Sequence, residues 1–156
     1  MVQQTVQLKL GDLPAHRTVT VEFDLLVLKS WDGNSPRYGR DRLRLRADGG
    51  PYLLDTSFSN NPKTAKEGSF QDYPTKGSTP HTGAVSGGML GYTFFGDSTY
   101  HFAFTFPHEA KTLALDFSSD LFEGKGTEDE SWGLDNVRVR LDAEDAGSKS
   151  PSVAPR

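Results

Sequence analysis

From Glu128 to Leu141 the chain reads Glu-Asp-Glu-Ser-Trp-Gly-Leu-Asp-Asn-Val-Arg-Val-Arg-Leu, an acidic loop that turns into an alternating strand. Val137, Val139 and Leu141 fall on one face, and Arg138 and Arg140 on the other. Counting back by twos from Val137 places Asp135 on the apolar face. An ionised carboxylate on a core-facing surface needs a partner, hydrogen-bond donors or a metal. The expected partner is a calcium ion shared with the loop that begins Ser30-Trp31-Asp32-Gly33-Asn34.

If the long strand over 18–29 lies antiparallel to the final strand, its end at Ser30 meets the beginning of that strand at Gly133. That pairing gathers Asp32, Asp41, Glu130 and Asp135 at one edge of the molecule, with Asn34 and Asp129 nearby. Calcium takes roughly six to eight oxygens, mixing carboxylates, amide carbonyls and backbone carbonyls. Asp32, Asn34, Asp41, Glu130 and Asp135 supply that chemistry. Zinc is disfavoured, because there is no cysteine and no paired-histidine spacing. The plainer reading keeps these acids as loop residues, with Asp-Gly-Asn as turn chemistry and Asp41 paired to Arg40 or Arg42. Asp24 either belongs to the site or is a hydrogen-bonded acid within the sheet. On the assumed register it lies about 20 Å down the strand, at ~3.3 Å per residue.

The elements that must position these groups are strands. Val6, Leu8 and Leu10 alternate with polar residues, and Val19, Val21 and Phe23 do the same before the run fills in through Leu25-Leu26-Val27-Leu28. The filled-in run predicts a strand buried on both faces. Leu43 and Leu45 alternate with Arg42, Arg44 and Arg46, which read as the wet face of a strand over 41–47. Asp48-Gly49-Gly50-Pro51 is a hairpin signal leading into a short strand over 52–57. From Asn60 to Gly88, Pro, Gly, Ser, Thr and Lys dominate, which predicts a long functional or mobile loop. Patterning returns at Tyr92-Thr93-Phe94-Phe95, continues through Phe102, Phe104 and Phe106 on one face, and then Leu113, Leu115 and Phe117. About eight short strands and no helix longer than a turn or two make this an all-β protein, an antiparallel β-sandwich of jelly-roll type. Residues 1–141 form one domain, and 142–156 read as a polar linker or tail.

Composition narrows the function classes. A net charge of −4 without a basic patch argues against nucleic acid. Absence of cysteine excludes disulfides and thiolate metal sites. No apolar run approaches the ~18 residues of a membrane span, so membrane insertion is not expected. Met1-Val2-Gln3-Gln4 reads as a start behind a removed leader, which permits secretion.

The ordered motifs Phe23-Asp24-Leu25, Ser30-Trp31-Asp32-Gly33, Asp41, Thr56-Ser57-Phe58-Ser59-Asn60, Gln71-Asp72-Tyr73-Pro74, Leu90-Gly91-Tyr92 and Asp129 to Val137 carry a resemblance. The set resembles a jelly-roll module of secreted and surface proteins of bacteria, notably planctomycetes, and of some protists. Its last strand is similar to the Asp-Asp-Val or Asp-Asn-Val ending of MAM domains and reelin repeats. The resemblance spans residues 17–141. It implies an extracellular sandwich that holds structural calcium and takes part in adhesion, with Asp135 as the leading ligand and Asp32 and Asp41 next. MAM domains normally carry disulfides, and this chain departs from them there.

Three functions compete. A non-catalytic, lectin-like binding module would recognise carbohydrate or a cell-surface partner through loop aromatics and planar polar groups, here Trp31, Tyr38, Gln71, Asp72, Tyr73 and Trp132. The two tryptophans could equally pack together near the metal edge. A glycoside hydrolase would need two carboxylates facing a cleft, for which Glu128 and Glu130 are the candidates. His16, His81, His101 and His108 fall singly, with no nucleophile motif beside them, so catalysis is not expected. A structural spacer of a multidomain surface protein is the remaining reading.

Overall fold

The structure is a computed structural model that describes residues 2–61, 70–92, 96–121 and 129–142. The described chain is all-β, with ten strands: β1 (Val2–Leu10), β2 (Thr18–Lys29), β3 (Asn34–Ser35), β4 (Gly39–Arg40), β5 (Arg42–Ala47), β6 (Tyr52–Ser57), β7 (Ser86–Gly87), β8 (Asp97–Pro107), β9 (Leu113–Leu121) and β10 (Glu130–Asp142). They form an antiparallel β-sandwich. One sheet runs β1-β9-β5-β6 and the other β10-β2-β8-β7, while β3 and β4 make a small hairpin. The chain crosses between the sheets after β1, β2, β6, β8 and β9.

Alternation builds the core. Val19, Val21, Phe23, Leu25 and Val27 of β2 are fully buried and meet Leu43, Leu45, Leu115 and Phe117 of the facing sheet. Phe23 packs edge-on to Phe117 at 5.1 Å and stacks on Phe102 at 5.4 Å, so one aromatic ties the two layers together. The strand expected to be buried on both faces is fully buried on one only. Leu26 and Leu28 are half-buried and share the outer face with Glu22 and Asp24. Asp24 therefore never enters the core.

Two expectations about the connections change. Residues 70–88 are not a structureless loop: Gln71 is fully buried, bridges to Ser78, and sends its amide to the carbonyls of Tyr73 and Thr82. Residues 62–69, and the expected patterning at 93–95, lie outside the described residues. The histidines are not all single either. His16 and His108 stack at 5.0 Å and are bonded Nε2 to Nδ1 at 2.7 Å, with Asp48 3.2 Å from His108 Nε2. At the end of the chain β10 runs through Asp142, and 143–156 lie outside the described residues.

Candidate functional site

The site is built where β2 ends against the start of β10. The two strands pair antiparallel as expected, but β10 already starts at Glu130, which stands opposite Lys29, and Gly133 falls opposite Leu26 and not at Ser30. Lys29 takes a positive φ of 68°, which ends the strand and turns Ser30 toward the acidic loop. Ser30 then donates through N to the Asp129 carbonyl at 3.2 Å, and through Oγ to that carbonyl and the Asp129 carboxylate at 2.8 and 2.9 Å. Trp31 drops fully into the core and its indole N–H bonds the Ser131 carbonyl at 2.8 Å. These bonds fix the loop to the beginning of β10.

Asp32 follows, bridged to Ser59, and Gly33 carries the chain back at a φ of 67°. A Cβ at Gly33 would lie 2.7 Å from the Phe70 carbonyl oxygen, so both the turn and the close approach require glycine. The Gly33 carbonyl accepts from the Asp41 N–H at 2.9 Å, and the Asp41 carboxylate accepts from the Asp32 N–H at 2.5 Å. Asn61 donates through Nδ2 to Asp32 Oδ1 at 3.0 Å. Asp32, Asp41 and Glu130 therefore come from three separate stretches, and one carboxylate oxygen of each lies within 4.8 Å of the others. All three residues are buried, with 4%, 0% and 1% of their surface exposed.

Oxygens on opposite sides of a calcium ion with bonds of ~2.4 Å stand about 4.8 Å apart. The donor set is all oxygen, buried and anionic, which suits a hard divalent cation. Three carboxylates supply part of a calcium shell, leaving the remainder to carbonyls or water.

Asp135 is not part of this group. Between Asp135 and Arg138 the register shifts: Asn136 and Val137 together oppose Phe23, and Asn136 has a φ of 53°. This β-bulge reverses the alternation, so counting back from Val137 gives the wrong face. Asp135 is exposed and sits across from Asp24, about 16 Å along the strand from Glu130 at ~3.3 Å per residue. Asp24 instead accepts from His101 and Asn136, each at 2.7 Å. Those hydrogen bonds, the one from Asn136 first, hold its carboxyl below the usual aspartate value. Asn34 turns its Nδ2 to Asp72 at 2.8 Å, so the structure joins it to Asp72.

The expected ligand platform does not assemble. Trp31 and Gln71 are fully buried, and Gln71 spends its amide group on Ser59, Tyr73, Thr82 and Tyr100. Tyr73 packs its ring against Phe58, Tyr100 and Phe102 at 5.1–5.5 Å. Trp132 is half-buried and donates to Ser119 Oγ of the other sheet at 2.9 Å. Tyr38 lies beneath the Arg37 guanidinium at 4.9 Å, and Asp72 pairs with Arg40. Glu128, one of the two hydrolase candidates, lies outside the described residues.

Sequence reasoning missed the latch beside the acids. Asn60 is fully buried and caps β2 through bonds from Nδ2 to the carbonyls of Val27 and Lys29, at 2.9 and 3.1 Å. Its Oδ1 accepts from Ser98, and its N–H bonds the Trp31 carbonyl at 2.8 Å. The available signal was the polar run Ser59-Asn60-Asn61 directly after the buried Phe58. Comparison with protein families, curated proteins and solved structures finds no match.

Proposed function

We propose that the chain is a non-catalytic extracellular binding or adhesion module that recognises carbohydrate or a surface partner and holds one structural calcium ion between Asp32, Asp41 and Glu130. The observation that carries the metal is the convergence of three buried carboxylates within 4.8 Å. Like charges this close repel strongly away from bulk water, and a divalent cation offsets that repulsion. The ion would staple the loop after β2 and the start of β5 to the start of β10, which is a stabilising role. Burial also favours a structural role over hydrolysis, since a glycosidase must present its carboxylate pair to a sugar.

The test is calorimetric titration of the chelator-treated protein with calcium, paired with melting curves. A single binding event, and a melting temperature lowered by EDTA, are expected. An identical melting curve in calcium and in excess EDTA would remove the site. Reducing-sugar release from polysaccharides that is abolished by Glu130→Gln would replace the binding reading with a hydrolase.

A further inference from the structure

The outer face of the β1-β9-β5-β6 sheet carries an ordered polar grid. Its register lays Gln7, Asp116, Arg46 and Tyr52 in one row across all four strands, and Thr5, Ser118, Arg44 and Asp55 in the next. Within it Gln7 Nε2 donates to Asp116 Oδ1 at 2.5 Å, and Arg46 Nε lies 3.4 Å from Asp116 Oδ2. Arg44 pairs with Asp120, and its Nε is 3.2 Å from Asp55 Oδ1. Its guanidinium also lies 5.7 Å from the centre of the Tyr52 ring. Over these rows opens a cleft of about 370 Å³. Small-molecule sites run from roughly 300 to 1,000 Å³.

The lining decides the kind of ligand. It holds two guanidiniums, Arg44 and Arg46, against two carboxylates, Asp116 and Asp120, so neither an anion nor a cation gains a net attraction. Apart from the ring of Tyr52, which is 49% exposed, the cleft offers polar side chains, which disfavours an apolar ligand. Arginine, aspartate and glutamine present paired donors or acceptors in a plane, which matches neighbouring hydroxyls on a sugar ring. Because these groups already hold one another, little rotamer freedom is lost on binding. Tyr52 at the end of its row, 49% exposed, offers to the C–H face of a pyranose the ring surface that the Arg44 guanidinium over it leaves open.

We propose that this sheet face, and not the loop aromatics, is the carbohydrate-binding surface, and that it takes a neutral oligosaccharide stacked on Tyr52 and hydrogen-bonded by Arg46, Asp116 and Gln7. The proposal rests on the reading of the chain as a carbohydrate-recognising module and supplies that module with a surface and a ligand class.

The test is an amide NMR titration of the full, calcium-loaded chain with neutral gluco-, xylo-, manno- and galacto-oligosaccharides, with polygalacturonate as the charged control. One neutral series should shift the amides of Thr5, Gln7, Arg44, Arg46, Tyr52 and Asp116. Tyr52→Ala should weaken that binding about tenfold while leaving the melting temperature in place. Asp116→Asn, which keeps the shape of the side chain, should weaken it as well. Sugar binding that maps elsewhere, or that Tyr52→Ala leaves intact, overturns this face while sparing the module reading. Stronger binding of polygalacturonate overturns the neutral ligand class. Failure of every sugar overturns both the face and the carbohydrate reading, whereas the calcium titration stands or falls separately.

Discussion

Asp135 stands directly across the ladder from Asp24, while Glu130 meets Lys29 at the far end of the same strand pair. Two acids five positions apart on β10 thus serve different surfaces. Glu130 turns inward to Asp32 and Asp41, and Asp135 remains on the outer face beside Asn136. The register between them is unbroken, so their odd spacing alone sends them to opposite faces, and the bulge at Asn136 and Val137 lies beyond both and upsets only the count back from Val137.

That division separates two variants of the same strand. Asp135→Ala should leave calcium affinity and the melting response to chelator unchanged, because the side chain lies on the outer face, where it accepts from its own neighbour Asn136 at 2.7 Å. Glu130→Gln should remove most of that response. A ligand present at a hundred times its dissociation constant stabilises the fold by about 2.7 kcal/mol, so the contrast is large enough to read from melting curves. Equal calcium responses in the two variants would contradict the assignment.

Gly33 and Gly49 have nearly the same positive φ, 67° and 70°, but different surroundings. Gly49 has nothing within 4 Å of an added Cβ, so Gly49→Ala should cost only about 1 kcal/mol of backbone strain. At Gly33 the added Cβ meets the Phe70 carbonyl oxygen at 2.7 Å. Gly33→Ala should therefore cost clearly more, about 2–4 kcal/mol, and weaken calcium binding as Asp32 is displaced. Urea denaturation of both variants, with and without calcium, separates strain from collision.

The sandwich was legible because its signal is local and repeated. Val19 to Val27 on one strand, and Leu43 with Leu45 on another, alternate at the period a pleated strand imposes, and each of these residues is buried. The antiparallel pairing of β2 with β10 was also legible, and it brought Asp32, Asp41 and Glu130 together. The bulge was not, since one inserted residue leaves no mark on composition and yet inverts every side chain before it. Nor could spacing reveal that Gln71 is interior: a buried amide is tolerable only when distant carbonyls and N–H groups meet it, and those come from the fold. For Trp31 the packing alternative is the one that holds. It lies on a loop in sequence, but its indole finds the Ser131 carbonyl from within the core.

The acid side of the stability profile should carry a contribution from Asp24. Its carboxyl lies below the usual aspartate value because Asn136 and His101 hydrogen-bond the charged form. A group whose value is depressed by folding contributes stability above its unfolded value and loses it as the pH falls through the folded one. Asp24→Asn should accordingly flatten the melting-temperature profile below about pH 4, and leave it nearly parallel to the parent at neutral pH. The residue is half-buried on the outer face of the sheet, where solvent still screens it, so the effect is small, and a profile unchanged by the substitution would contradict the role of the two hydrogen bonds.

Tyr100 governs the opposite limb. Its ring is fully buried against Phe58 at 4.6 Å, and burial pushes the phenol up to about 12, against the opposing effect of its hydrogen bonds to Gln71 and Ser98. The unfolded phenol ionises near 10, so the folded state retains a proton that the unfolded state gives up. A raised value means that this contribution is fully present below pH 10 and is lost as the pH climbs from there toward 12. Replacement by phenylalanine removes the titration and also deprives Gln71 Oε1 of a donor at 3.3 Å, leaving the Ser59 N–H at 3.2 Å to satisfy it. Tyr100→Phe should therefore be slightly less stable at pH 7, by about 1 kcal/mol, and lose less stability than the parent between pH 10 and 11.5. Urea denaturation across that range decides the matter: parallel losses in the two proteins would mean that Tyr100 is not the group that titrates.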